Sequence, residues 1–188
     1  MKEVLIVFPD EWVAYSPTVL NMVSALSSDF EVTVLAFENG LYDNTSLGAE
    51  CYTFIRLPTQ LSRALYLIGL YKPLKAFLLI RRIRKLGIKQ IIAVDSVGLW
   101  SALQCAPACD YLSLEVARDF YFMHSDKSRI RSVVIQTPER YEHLFGSLDL
   151  TCFYIQNAPP LTKPIQRNNL VGRCEAVYFG NIIPRHVI

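Results

Sequence analysis

Short runs of consecutive apolar residues alternate along the chain with longer segments in which apolar and polar positions are mixed. The first run, residues 4–8, has only apolar side chains. This pattern is typical of a strand buried on both faces of a parallel sheet, because a strand with one exposed face would alternate. Ser16 and Pro17 are residue types preferred at the N-cap and first position of a helix. The chain is therefore predicted to open as strand, loop and helix.

Further runs rich in β-branched and aromatic residues predict additional strands. They lie at residues 30–37, 51–57, 90–94, 111–114, 132–135 and 152–155. Helical patterns lie between them at residues 17–26, 62–86 with an interruption at Pro73 and an end at Gly87, 97–104, 115–122, and 138–145 after a Thr137 cap. This alternation predicts an α/β, Rossmann-like fold, in which a parallel sheet of about seven strands carries helices on both faces.

The pattern changes near residue 157, where the sequence Asn-Ala-Pro-Pro is followed by a polar run. Prolines cannot continue regular strand pairing, so we predict that a Rossmann-like domain covers residues 1–160. We predict a linker at residues 161–174. Residues 175–188 are predicted to be the first strand and turn of a second domain.

Composition narrows the possible partners. With 52% hydrophobic and 19% charged residues the chain is typical of a globular domain, and a net charge of +2 gives no general attraction to nucleic acid. The five cysteines lack the paired spacing of a zinc site or a disulfide framework, so we expect buried thiols and no metal site. The N-terminal pattern is not that of a signal peptide, and charged residues and Pro73 interrupt the longest apolar stretch, residues 61–80. These features predict a cytoplasmic protein.

Polar residues follow several predicted strands. Ligands of open parallel sheets bind beyond the carboxyl ends of the strands, so these residues are candidates for a binding site. In chain order they are Asp10 and Glu11, Asp95 and Ser96, Glu115, Gln136, and Asn157. Capping of the next helix explains Asp95 and Ser96 equally well. A carboxylate that leaves a buried strand, as Glu115 does, needs a hydrogen-bond donor or a function.

His124 is a further candidate, because it lies in an aromatic segment suited to the wall of a cleft. A packed loop explains that segment equally well. The three histidines of the chain are scattered and show no metal spacing.

The predicted helix after Pro73 has an apolar stripe and an opposite basic face. The basic face contains Lys75, Arg81, Arg82, Arg84 and Lys85, with Phe77 and Leu78 among them. Basic and exposed apolar residues together favour a helix that lies on an anionic membrane surface. A solvated basic face over an ordinary core stripe is the competing interpretation. The membrane interpretation would place the protein peripherally at the inner face of the membrane.

Six segments, taken in order, carry a family resemblance. They are the opening strand with its Ser-Pro-Thr-Val helix, Val-Asp95-Ser, Tyr-Leu-Ser-Leu-Glu115, Val-Ile-Gln136-Thr-Pro-Glu-Arg140, Ile-Gln-Asn157-Ala-Pro-Pro and Tyr178-Phe-Gly180-Asn-Ile. Together they resemble the N-terminal, acceptor-binding domain of a GT-B-type glycosyltransferase of the retaining group that uses nucleotide sugars. One departure is the first loop, which is glycine-rich in many relatives, whereas residues 9–18 here contain no glycine.

The resemblance implies a full-length enzyme with two Rossmann-like domains and an active site between them. Such an enzyme transfers a sugar from a nucleotide sugar to a glycan or a lipid-linked acceptor. The present chain would be its acceptor half, without a cofactor of its own, inactive alone and truncated at the start of the donor domain. Gly180 and Arg185 match donor-side positions at that start.

The glycine-free first loop fits this division of roles. Only glycine lets a backbone approach a pyrophosphate closely, so the loop is not expected to bind the donor. Its Trp12 and Tyr15 would instead stack on acceptor sugar rings. The carboxylates of Asp10, Asp95 and Glu115 would accept hydrogen bonds from acceptor hydroxyls.

Two alternatives remain from other functional classes. Asp10 and Glu11 could hold Mg²⁺ in a receiver-like signalling domain. That class also needs an aspartate after the third strand, where residues 57–59 offer none. The basic helix could instead serve a non-catalytic module that docks on a membrane surface.

Overall fold

The computed structural model describes residues 2–40, 42, 44, 47 and 51–155. Within them the backbone forms one sheet in the spatial order β3-β2-β1-β4-β5-β6-β7, and each neighbouring pair is parallel. The strands are β1 (Lys2–Val7), β2 (Phe30–Glu38), β3 (Tyr52–Arg56), β4 (Ile91–Val94), β5 (Cys109–Leu112), β6 (Ile130–Ile135) and β7 (Thr151–Tyr154). The predicted α/β, Rossmann-like fold is confirmed.

Helices cover both faces of this sheet. They are α1 (Pro17–Leu26), α2 (Thr59–Leu67), α3 (Tyr71–Leu86), α4 (Asp95–Leu103), α5 (Phe120–Met123) and α6 (Pro138–Phe145), with short 3-10 turns at Val13–Tyr15 and Lys127–Arg129. Strands β2 and β3 lie on one side of β1, and β4 to β7 lie on the other side. The sheet therefore has its topological switch point between β1 and β4, where open α/β sheets bind ligands.

The continuous apolar run of β1 is explained by two cores, one on each face of the sheet. Leu5 and Val7 belong to the core that includes residues of α3, α4 and α6. Ile6 and Phe8 belong to the core that includes Val19 of α1. Because successive side chains of a strand point to opposite faces, a central strand between two cores needs apolar residues at every position.

Several predicted boundaries are wrong by a few residues. The helical region 62–86 is two helices, and the break lies at residues 68–70, where Gly69 has a φ of 72°. Pro73 is in the first turn of α3, where its missing N–H costs no intrahelical bond. Helix α4 starts two residues before the predicted position, at Asp95. Strand β5 is shifted to Cys109–Leu112, and only Phe120–Met123 is helical in the segment after it.

Other expectations have mixed outcomes. Pro17 is the first residue of α1, as predicted. Cys109 is buried, but Cys51, Cys105 and Cys152 are partly exposed, so the expectation of buried thiols is wrong for these three. The predicted linker, the segment 175–188 and the candidates Asn157, Gly180 and Arg185 lie outside the described residues.

Helix α4 approaches the end of β1 closely, and Gly98 permits this approach. A Cβ atom on Gly98 would lie 3.0 Å from the Val7 carbonyl oxygen, which is a backbone atom and cannot turn away. We therefore expect Gly98→Ala to lower the free energy of unfolding by about 1 to 3 kcal/mol, as overpacking does. In a helix interior alanine is normally more stabilising than glycine by about 1 kcal/mol. A loss of stability in Gly98→Ala would therefore reflect the close approach to β1 and not helix propensity.

Urea denaturation of Gly98→Ala and the wild type measures this effect. Ser24→Ala, on the exposed side of α1, is the control for helix propensity and should leave stability unchanged or slightly raised. A Gly98→Ala variant at least as stable as the wild type would show that the close approach of α4 to β1 does not exclude a larger residue at position 98.

Candidate functional site

A cleft of about 630 Å³ opens at the carboxyl ends of β1, β4 and β5. Its walls come from the loop after β1, the α2–α3 connection, the start of α4 and the segment after β5. The aromatic residues of the lining are Trp12, Tyr66, Tyr71, Phe120 and Tyr121. The charged residues of the lining are Asp10, Lys72, Lys75, Asp95 and Glu115. The cleft thus combines flat apolar surfaces with carboxylates and amines at the switch point of the sheet.

Asp95 is the most unusual residue of the cleft. It is 7% exposed, and it is the non-glycine residue with a positive φ, 51°, in the described part of the chain. Its Oδ1 accepts hydrogen bonds from the backbone N–H groups of Leu114 and Glu115, at 2.8 and 2.9 Å. Its Oδ2 is buried and has no hydrogen-bond partner among the described residues. Sparsely populated backbone conformations and unsatisfied buried polar atoms are both concentrated at functional sites.

The carboxyl group of Asp95 is also electrostatically perturbed. Burial raises its pKa from 3.8 to about 7, against the lowering effect of the two backbone hydrogen bonds, and the nearby charges of Glu115 and Asp10 add to the rise. The carboxyl group is held in position through Oδ1, and in its charged form Oδ2 lacks a donor. A ligand hydroxyl or amine that reached Oδ2 would supply that donor.

Asp119 organises the opposite wall. Its Oδ2 accepts hydrogen bonds from Ser96 Oγ at 2.9 Å and Lys72 Nζ at 2.8 Å, and its Oδ1 accepts from the Phe122 N–H at 3.1 Å. Burial alone would raise the pKa of Asp119, but the hydrogen bonds from Lys72, Phe122 and Ser96 outweigh burial and lower it. Asp119 therefore stays charged, and it fixes the aromatic helix α5 to the start of α4.

Lys75 holds the loop after β1. Its side chain is 4% exposed, and its Nζ lies 3.0 Å from both Asp10 Oδ1 and Glu11 Oε1. The same Nζ lies 4.5 Å from the ring centre of Tyr71, whose hydroxyl donates a short hydrogen bond to Glu11. Burial on its own would lower the pKa of Lys75, but the adjacent carboxylates of Asp10 and Glu11 more than compensate, and the pKa lies above its usual value.

The prediction that Lys75 belongs to a membrane-facing basic surface is wrong. The helical pattern places it with the basic residues, but the N-terminal part of α3 faces the loop after β1, whose two carboxylates compensate its charge. Leu78 is also displaced from that surface, because it is half-buried against the core. Arg81, Arg84, Lys85 and Phe77 are exposed, and Arg82 is half-buried.

The structure brings together five of the predicted strand-end and loop residues. Those that line the cleft are Asp10, Trp12, Asp95, Ser96 and Glu115. Glu11 lies behind them in the Lys75 cluster. The side chain of Asp95 does not cap its own helix within the described part of the chain, so the capping interpretation is wrong for it, whereas Thr137 does cap α6 by accepting from the Arg140 N–H.

Besides Glu11, three candidates of the described part of the chain are not part of the cleft lining. Tyr15 is exposed and packs at a tilt against Tyr42. His124 stacks on Phe120 with ring centres 4.1 Å apart, and its Nδ1 lies 2.8 Å from the Phe120 carbonyl oxygen. Gln136 is half-buried after β6. The packed-loop interpretation of His124 therefore fits the structure better than a cleft position.

Sequence reasoning missed several residues of the cleft. They are Tyr66, Tyr71, Lys72, Phe120 and Tyr121 in the lining, and Asp119, which accepts hydrogen bonds from Lys72 and Ser96. Most of them belong to helical segments rather than strand ends, so the rule that selected the candidates did not reach them. Only Asp119 carried a local signal, because an aspartate before an apolar segment is a preferred N-cap residue.

Comparisons with known proteins do not assign the chain to a family. No protein-family model matches the chain, and a search of curated proteins finds no match. Within residues 2–40 and 51–155, and the few described between them, no group of three or more His, Cys, Asp or Glu side chains is placed to bind a metal ion. No helix in the described part has the length and apolar character needed to cross a membrane.

Proposed function

We propose that the cleft binds a saccharide and that the chain is the acceptor-binding half of a glycosyltransferase. The observation that carries the proposal is the Asp95 carboxylate, whose buried Oδ2 lacks a donor while Oδ1 is fixed by two backbone N–H groups. A sugar hydroxyl is a neutral donor of suitable size, and a small shift of the cleft lining would let it reach the buried Oδ2 and satisfy it.

The remaining lining suits the same class of ligand. Sugar rings have apolar C–H faces and polar edges, so they need aromatic surfaces beside hydrogen-bonding groups. Trp12 packs edge-on against Phe8, with ring centres 5.0 Å apart, and this contact holds the indole at one side of the cleft. Phe120 is exposed on the opposite side. Glu115 follows β5 in the same cleft and supplies a second carboxylate for hydroxyl groups.

The proposed reaction in the full-length enzyme is transfer of a hexose from a nucleotide sugar. The acceptor oxygen forms a bond to the anomeric carbon while the bond from that carbon to the nucleoside diphosphate breaks, and the hydroxyl proton leaves with the diphosphate. This cleft would contribute placement of the acceptor hydroxyl, which lowers the barrier by fixing proximity and orientation. The glycine-free loop after β1 supports a donor site formed mainly by other residues.

A saccharide screen tests the proposal. We expect ligand-detected NMR on the chain to show binding for members of a panel of neutral mono- and disaccharides, and only weak binding for nucleotide sugars. Phe120→Ala should reduce the saccharide signals, since one face of the cleft loses its aromatic surface. Tight binding of nucleotide sugars with no saccharide binding would contradict the assignment of an acceptor site.

The described part of the chain gives no support to the receiver-like alternative. Asp10 and Glu11 would have to bind Mg²⁺, but both carboxylates contact the buried Lys75 Nζ. A metal ion at these oxygens would have to displace a cation that is already hydrogen-bonded there.

A further inference from the structure

Carboxyl groups outnumber amino groups in and around the cleft. Among the described residues, the lining has three carboxyl groups and two lysines, and each lysine also contacts a carboxylate outside the lining. The carboxyl groups are Asp10, Glu11, Asp95, Glu115 and Asp119, and the lysines are Lys72 and Lys75. Five carboxyl groups against two amines leave an excess of three acidic groups. The whole chain has a net charge of +2, so this excess is local.

Both amines already have partners. Lys75 contacts two carboxylates and Lys72 contacts one. The two carboxyl groups of the cleft that form no ion pair within the described part of the chain are those of Asp95 and Glu115. Arg140 lies nearby, but its guanidinium group donates to the carbonyl oxygen of the residue before Glu115, at 3.1 Å. Two acidic groups of the cleft therefore remain without a compensating cation from the described residues.

The acidic groups of the cleft repel one another. Partial burial raises the pKa of Glu115, and the charges of Asp10 and Asp119 raise it further. Lys72 opposes this rise without cancelling it. The charge of Glu115 in turn adds to the raised pKa of Asp95. A cationic group of a ligand would relieve this repulsion, whereas a nucleoside diphosphate would increase it.

The buried oxygen of Asp95 is a separate indication of a ligand with a strong donor. The residue lines the cleft and is 7% exposed, and its Oδ2 has no hydrogen-bond partner among the described residues. An ammonium group has three N–H donors, so one can reach Oδ2 after a small shift of the lining while the others bind further acceptors. Hydrogen bonds between charged groups are roughly twice as strong as those between neutral groups. A protonated amine is therefore a better partner for Asp95 than a hydroxyl group.

The aromatic lining is compatible with the same kind of group. Cations bind to the faces of aromatic rings within about 6 Å of the ring centre. Lys75 Nζ already lies 4.5 Å from the ring centre of Tyr71, and Phe120 offers a further ring that is 63% exposed. Within the described residues no three His, Cys, Asp or Glu side chains are placed to bind a metal ion. An organic cation, which uses both carboxylates and ring faces, therefore fits this lining better than a metal ion does.

We propose that the cleft prefers a ligand with a protonated amino group, which pairs with the carboxylates of Asp95 and Glu115. Combined with the proposed function, this makes the acceptor an amino sugar whose nitrogen is not acetylated, because acetylation removes the charge. The preference for an ammonium group rests on the charges of the cleft. Only the saccharide part of the ligand rests on the proposed function.

Ligand-detected NMR titrations of the full chain at pH 7 test the preference. The probes are glucosamine, N-acetylglucosamine and glucose, the matching galactose series, and ethanolamine as an amine without a sugar ring. We expect the free amino sugar of a series to bind at least about fivefold more tightly than its two neutral relatives, because an ion pair is added to the other contacts. Added NaCl should reduce this ratio, because salt screens the charges.

A pair of variants assigns the preference to the cleft. Glu115→Gln should reduce the ratio of amino sugar to neutral sugar affinity by at least about threefold, because one uncompensated carboxylate is removed. Glu31→Gln is the matched control, since Glu31 is an exposed carboxylate of β2 whose strand starts at the opposite edge of the sheet. It should keep the wild-type ratio. Both ligands of a ratio are measured on the same protein, so a partial loss of folded protein does not change it.

The outcomes separate this inference from the proposed function. Equal affinities of the amino sugars and their neutral relatives would overturn the inference and leave the saccharide site standing. Binding of ethanolamine without binding of any sugar would support the ammonium preference and contradict the proposed function. The inference is also overturned if neither ethanolamine nor an amino sugar binds, or if Glu31→Gln lowers the ratio as much as Glu115→Gln does.

Discussion

Replacing Lys75 with methionine is expected to lower the free energy of unfolding by about 3 to 5 kcal/mol, the usual cost of removing one partner from a buried ion pair. Methionine fills a similar volume, so the loss reflects charge rather than packing. The variant leaves the carboxylates of Asp10 and Glu11 together without their cation, and Glu11 is 7% exposed. Chemical denaturation at neutral pH measures the change.

Lys72→Met is the matched control for Lys75→Met. Lys72 lies on the same helix and contacts Asp119 at 2.8 Å, but its side chain is 57% exposed. Exposed pairs contribute about 0 to 1 kcal/mol, so this variant should be close to the wild type. In a Glu11→Gln background, Lys75→Met should lower the free energy of unfolding by a smaller amount, because only the Asp10 carboxylate is then left without its cation. Equal effects of the two lysine variants would mean that the Lys75 cluster does not hold the loop after β1.

Asp95→Asn is expected to change the pH dependence of stability. The pKa of Asp95 is about 7 in the folded chain, and the ordinary value is 3.8. Between these values the folded state retains a proton that the unfolded state has released, so this group makes stability fall as pH rises from about 4 to about 7. Above pH 7 the buried carboxylate is charged and its destabilising effect is complete. Asparagine does not titrate and shows no such fall.

The measurement is urea denaturation of both proteins from pH 4 to pH 8. The free energy of unfolding of Asp95→Asn minus that of the wild type should increase over this range by roughly 2 to 4 kcal/mol, from about 1.4 kcal/mol per pKa unit. Glu115→Gln is the control carboxylate of the same cleft; its pKa is also raised by burial, but the residue is exposed, so a smaller change is expected. Parallel stability curves for Asp95→Asn and the wild type would contradict the perturbed state of Asp95.

The sheet was predictable because its signal is local. Each central strand has apolar residues on both faces, as residues 4–8 show, and a run of that kind is visible without any knowledge of its neighbours. The positions of Asp10, Asp95 and Glu115 in one cleft followed from a general rule, that carboxyl ends of parallel strands meet at one edge of the sheet. That rule needs only the strand boundaries, and errors of two residues do not affect it.

Side-chain partners were not predictable, because they depend on residues far apart in the sequence. The helical pattern of α3 assigns Lys75 to the basic face, but its burial depends on two carboxylates 64 and 65 positions earlier in the chain. The free Oδ2 of Asp95 likewise depends on the backbone of residues 114 and 115, which takes both lone pairs of Oδ1. Periodicity carries no information about such long-range pairs, so the contacts of Asp119 with Lys72 and Ser96 became visible only in the fold.

The most direct test of the account is a calorimetric titration of the wild type and Asp95→Asn with the tightest-binding neutral saccharide from the screen. The central claim is that a ligand hydroxyl donates to Asp95 Oδ2. Asparagine can still accept the two backbone hydrogen bonds at Oδ1, but its amide group donates and does not replace a carboxylate oxygen. We predict at least about tenfold weaker binding by Asp95→Asn at pH 8, where wild-type Asp95 is charged. Equal affinity of the two proteins would contradict the claim.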